Sequence, residues 1–145
     1  MRKLMLTAIA AGMLLSAAPA TAQDSSYKLG PLWTAARIDV ADGQYENYMD
    51  YLMKTWVDNQ NFAKSQGWLL DYYILDNMNP RDGEPDIVLL TRFSDFPSVA
   101  EIDRRNAIIN KRMQQDDHSA DVASGDRGKM RKLMGSVMYR ELHKR

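Results

Sequence analysis

An α+β domain with one antiparallel four-stranded sheet and helices on a single face is what this sequence predicts, and three observations carry that prediction. Segments of two-residue alternation and longer segments with apolar residues three and four apart follow one another as strand, helix, strand, strand, helix, strand. Clusters of Gly, Pro, Asn and Asp separate them. Once an N-terminal signal is set aside, about 123 residues remain, enough for one hydrophobic core, with no internal repeat or low-complexity tract.

The signal is read from residues 1–22. Arg2 and Lys3 precede an apolar run from Leu4 to Ala18, and Ala20 and Ala22 bracket Thr21, an A-x-A-like end. The run of about 15 residues is shorter than the roughly 20 that cross a bilayer core. Cleavage after Ala22 is expected. The chain has no cysteine to carry a lipid anchor, so the mature protein is expected to be periplasmic or secreted, with no membrane contact after cleavage. Cleavage removes two of the 19 basic residues and none of the 19 acidic ones, leaving a net charge of −2. That balance gives no clustered basic surplus for nucleic acid. With no disulfides, packing and self-association must supply the stability.

Residues 23–31 read as a flexible, polar leader, and 32–143 as the single domain. From Leu32 to Val40, residues Leu32, Thr34, Ala36, Ile38 and Val40 share a core face, while Trp33, Ala35, Arg37 and Asp39 share the other. Asp42 reads as an N-cap for a long helix from Gln44 to Ser65, whose stripe is Tyr45, Tyr48, Met49, Leu52, Trp56 and Ala63. Gly67 ends it. Trp68 to Leu75 and Asp86 to Phe93 read as strands joined by a turn-rich segment with Asn79, Pro80, Asp82 and Gly83. A second helix opens near Asp95 and runs to about Gln115, with Val99, Ile102, Ile109 and Met113 inward. A polar segment from Asp116 to Gly128, a short helix from Arg127 to Gly135 and a last strand from Ser136 to Leu142 complete the chain. The order is the ferredoxin-like βαββαβ plan. It leaves one sheet face uncovered, and a second copy of the chain is the expected cover.

The tryptophan on the first strand, Thr55-Trp56 within the long helix, Gly67-Trp68-Leu69-Leu70-Asp71-Tyr72, and Glu84-Pro85-Asp86 leading into Leu89-Leu90 together resemble the dimeric α/β-barrel superfamily, in particular its small exported bacterial members. The resemblance spans about residues 31 to 142 and includes no catalytic motif. It implies a homodimer in which two sheets face each other around a pocket. The wider superfamily includes cofactor-free monooxygenases and cyclases, haem enzymes and an isomerase, among which a shared fold does not choose.

On the strand faces opposite the core stand Trp33 and Arg37, Asp71 and Tyr73, Arg92, and on the last strand either Arg140 or the pair Tyr139 and Glu141. An arginine there could hold a carboxylate or phenolate in bidentate fashion, and Asp71 could take a proton from an acidic carbon or phenol. Asp71, Tyr73 and Arg37 are therefore the candidate catalytic residues, and Trp33, Arg92 and Arg140 the candidate substrate contacts. The competing structural role for these charges is cross-strand or interface ion pairing. His118, in Asp116-Asp117-His118-Ser119-Ala120-Asp121, reads as part of an exposed, charged loop or helix N-terminus rather than a metal or haem site, and His143 as a solvated tail residue. No metal and no cofactor is expected. The chain lacks a cysteine nucleophile, a G-x-S-x-G elbow, a Walker loop and a G-x-G-x-x-G loop. Two functions stay open: a cofactor-independent lyase, isomerase or oxygenase acting on a small aromatic or phenolic compound, and a non-catalytic ligand-binding or interaction dimer.

Overall fold

The computed structural model describes residues 24–145, so the expected signal segment and its cleavage point lie outside the described residues. Four strands, β1 (Tyr27–Val40), β2 (Asp71–Asp76), β3 (Ile87–Phe93) and β4 (Arg131–Lys144), form one antiparallel sheet in the order β2-β3-β1-β4. Between β1 and β2 a helical rod is made of α1 (Tyr45–Tyr51), a π-helical segment (Leu52–Trp56) and α2 (Val57–Ser65). Helices α3 (Val99–Met113) and α4 (Asp117–Gly128) lie between β3 and β4. This is the ferredoxin-like α+β fold, extended by α4.

The alternation in β1 sorts as expected, because successive side chains on a strand point to opposite faces. Ile38 joins Ile87 and Leu89 of β3 against Tyr48 and Leu52 of the rod, forming the buried core cluster. Trp56 meets Tyr72 edge to face at 5.5 Å, extending that layer over β2. Helix α3 is tied to the rod by arginines rather than by a buried apolar stripe. Arg104 and Arg105 lie over the Trp68 ring, and Arg112 stacks on Phe62 and pairs with Asp58. Val99, Ile102 and Met113, expected to face inward, are exposed.

Several boundaries differ from the expectation. The segment read as a flexible leader is largely strand: Tyr27, Lys28 and Leu29 pair with Lys144, His143 and Leu142. Backbone pairing with a long partner overrides the turn signal of Gly30-Pro31, which the strand absorbs as an irregularity between Leu29 and Leu32. The polar segment Asp116 to Gly128 is helix α4, started by a capping box in which Asp116 and Ser119 satisfy each other's backbone N–H groups. The helix expected from Arg127 to Gly135 is instead the end of α4 followed by β4. Gly135 does not stop a helix but sits within β4 at φ 125°, next to the register shift between Arg37 and Ile38. The first helix is capped at Gln44 and the third at Ser98, whose hydroxyl accepts from the Glu101 N–H, rather than at Asp42 and Asp95.

Candidate functional site

The uncovered sheet face is built of cross-strand rows, since directly paired residues of an antiparallel ladder share a face. One row is Asp71, Arg92, Trp33 and Tyr139, and the next is Tyr73, Leu90, Ala35 and Val137. A third row runs Leu75, Val88, Arg37 and Gly135. Glu141 lies two residues beyond Tyr139 and so returns to this face. The result is an aromatic and aliphatic surface with most of its charges gathered at one end and Arg37 at the other. A shallow recess of about 330 Å³ there is lined by Trp33, Leu90 and Tyr139.

The charged end is a network. Arg92 donates Nε and Nη2 to the two Glu141 carboxylate oxygens at 2.6 and 3.0 Å, the bidentate geometry that arginine favours. Trp33 Nε1 donates to the same carboxylate at 2.7 Å, and the Arg92 guanidinium lies 5.7 Å from the Trp33 ring. His143 Nε2 stands 3.0 Å from Glu141 Oε2. These partners, led by the Arg92 hydrogen bonds, pull the Glu141 carboxyl down to about 2. Alongside, the Tyr73 hydroxyl donates to Asp71 Oδ2 at 2.9 Å, and Lys64 Nζ lies 3.1 Å from Asp71 Oδ1. The Lys64 hydrogen bond, with that of Tyr73, holds Asp71 below the usual carboxylate range, while the hydrogen bond to Asp71, with its charge, pushes the Tyr73 phenol up. Tyr73 stacks against Trp33 at 6.0 Å.

Gly30 makes room for this end of the site. A Cβ placed there would fall against the His143 ring and 2.9 Å from Glu141 Cβ, so the close crossing of β1 and β4 requires a residue without a side chain.

Four of the six expected residues, Trp33, Asp71, Tyr73 and Arg92, are therefore brought together. Arg37 shares the face but stands at its far end, where its guanidinium donates to the Gly83 carbonyl at 3.3 Å and ties down the β2–β3 loop. Arg140 does not join. It pairs with Leu32 in the ladder, so it faces the helix side, where it donates to the Gly30 carbonyl at 3.1 Å and to Asp95 at 3.3 Å. The alternative set on the last strand, Tyr139 and Glu141, takes that place. The irregularities in the β1–β4 ladder shift the register, which two-residue alternation alone does not reveal. Lys64 is the partner that sequence patterning missed, because it reaches the sheet from the end of α2. His118 lies in the first turn of α4, and among the described residues no group of three His, Cys, Asp or Glu side chains is arranged to hold a metal ion.

Chemically, the arrangement offers flat aromatic walls, a neutralised rim and a carboxylate, Asp71, whose two oxygens already accept hydrogen bonds. Comparison with protein-family models, with curated proteins and with solved structures finds no match for the chain.

Proposed function

We propose that the chain is an exported binding protein that pairs through its open sheet face, as a dimeric α/β barrel, and holds a small aromatic or phenolic compound between the facing sheets. The observation that carries this reading is the face itself. Trp33, Tyr73, Leu75, Leu90, Val137 and Tyr139 share one side of the sheet, and four of them, Tyr73, Leu75, Val137 and Tyr139, are exposed in the single chain. Contiguous apolar patches of this kind mark interaction sites in soluble proteins. A second copy suits the patch because the charges at its aromatic end are neutralised within one chain, Arg92 by Glu141 and Asp71 by Lys64, while Arg37 stands at the far edge on the Gly83 carbonyl. A two-fold interface sets each surface against itself, and a face with unbalanced charge would repel its own copy.

Binding is favoured over proton abstraction by the state of Asp71. A general base works best with a pKa near the operating pH, and this carboxylate is displaced in the opposite direction by Lys64 and Tyr73. The aromatic rings of Trp33, Tyr73 and Tyr139 supply stacking walls instead. The test is light scattering of the mature chain combined with Trp fluorescence during titration with p-cresol, using Trp33→Phe to identify the reporting ring. The expected result is twice the mass of the mature chain and saturable quenching that Trp33→Phe abolishes. A concentration-independent monomer whose fluorescence p-cresol leaves unchanged would overturn the proposal.

A further inference from the structure

On the helix side of the sheet, the rod, the C-terminal end of α3 and helix α4 border a separate, partly open cavity of about 140 Å³. Taking water's share of liquid volume as about 30 Å³, it has room for roughly five non-hydrogen atoms, far below the size of an ordinary metabolite pocket. Thr55, Asn59, Gln115 and Arg127 give it polar walls, and Met113, Ala120 and Ala123 an apolar floor.

The polar groups around it are poorly occupied. Among the described residues seven arginines hold a carboxylate and Arg37 holds a carbonyl, whereas Arg127 and Arg131 hold neither. The Arg127 guanidinium lies over the Tyr51 ring at 5.6 Å. Arg131, just past the end of α4, has a buried Nε without a hydrogen-bond partner and lies near Tyr48, whose ring stacks on Tyr51 at 5.9 Å. The Asn59 amide donates only to the Met113 thioether, at 3.7 Å, and the Gln115 amide reaches Asn110 at 3.4 Å. Thioether sulfur is a weak acceptor, so the Asn59 donor gains by meeting a charged oxygen. Thr55 belongs to the π-helical segment, a widened turn that recurs at functional sites.

We propose that this cavity is a site for a short-chain carboxylate of about the size of propionate. Its carboxylate pairs with the Arg127 guanidinium and accepts from Thr55 Oγ and the Asn59 amide, while its alkyl end lies on Ala120, Ala123 and Met113. Phosphate fits the volume but places charged oxygens against that apolar floor, at a desolvation cost that a methyl or ethyl group avoids. The site is independent of the open sheet face and stands whether or not that face dimerises.

The test is a titration of the full mature chain with propionate, followed by backbone and arginine Nε–H signals in heteronuclear NMR. Propionamide and inorganic phosphate serve as the neutral and inorganic comparisons. Saturable shifts centred on Thr55, Asn59 and Arg127 are expected, with propionamide and phosphate both weaker. Arg127→Met, which keeps much of the apolar stem, should weaken propionate binding by at least about ten-fold, the scale for losing one member of a hydrogen-bonded charge pair. Thr55→Val, close in shape, should weaken it without disturbing the fold, which keeps the test decisive if Arg127→Met is unstable. Absence of saturable shifts, tighter binding of phosphate than of propionate, or unchanged binding in Thr55→Val and a folded Arg127→Met would overturn the proposal.

Discussion

Glu141 shows how one residue's surroundings decide its chemistry. Its carboxyl accepts from Arg92 and Trp33 and contacts His143, and its pKa drops from an ordinary 4.5 to about 2. A group whose pKa is lower when folded adds stability above its unfolded pKa and loses it as pH falls through the folded value. The contribution is therefore present above about pH 4.5 and disappears toward pH 2. Glu141→Gln should flatten the loss of stability across that window in acid-dependent urea unfolding. Glu101, held to about 2 by Arg104 and Arg105, titrates in the same window, so adding Glu101→Gln should flatten it further. An acid profile identical to wild type in the double variant would show that neither pair contributes. Alternation placed Trp33, Asp71, Tyr73 and Arg92 on one face from sequence, since that placement needs only the period of a strand. It left the choice between Arg140 and Tyr139 with Glu141 open, because the irregularities in the β1–β4 ladder depend on what β1 meets across the sheet.

At the scale of elements, the rod carries the packing that the fold depends on. Leu52 is fully buried between Ile38, Ile87 and Leu89, at the start of the π-helical turn. Leu52→Ala should cost about 2–5 kcal/mol, the range for removing a buried leucine, measured as a lower urea midpoint. Helix α3 lacks any buried residue and so relies on its ends and its arginines. Ser98→Ala removes the hydroxyl that accepts from the Glu101 N–H and should cost about 1 kcal/mol, seen as faster amide exchange in the first turn of α3. Unchanged exchange there would mean that the cap is replaced by solvent. The two long elements, β1 and the rod, were legible in the sequence because their patterns persist over many residues. Helix α4 was not. Its composition is polar with only scattered apolar residues, and its capping box of Asp116 and Ser119 lacks the Glu or Gln at the third position that marks the usual signature.

For the whole molecule, the decisive feature is that the helices cover one face of the sheet and leave the aromatic face open. On the reading of a sheet-to-sheet dimer, Val137→Lys places an unpaired charge on each facing sheet, in the row that also holds Ala35 and Leu90. It should convert the dimer to monomer in light scattering while far-ultraviolet circular dichroism stays unchanged, because Val137 is exposed in the single chain. A Val137→Lys protein that keeps the dimer mass would place the interface elsewhere.

From local pattern alone came the α+β class, the order of the four strands with the rod and α3 between them, and which side chains of β1, β2 and β3 share the open face. These follow from periodicity, which is local and needs no knowledge of partners. Long-range contacts set the rest: that residues 27–31 are strand, that residues 117–128 form α4, that Arg140 turns to the helix side while Glu141 meets Arg92, and that Lys64 occupies Asp71. The strand and side-chain pairings among these are set by partners distant in the chain: β4 for the start of β1, β1 for the register of β4, and the end of α2 for Asp71. Such pairings depend on the geometry of closing the sheet and packing the rod against it, which no local pattern encodes.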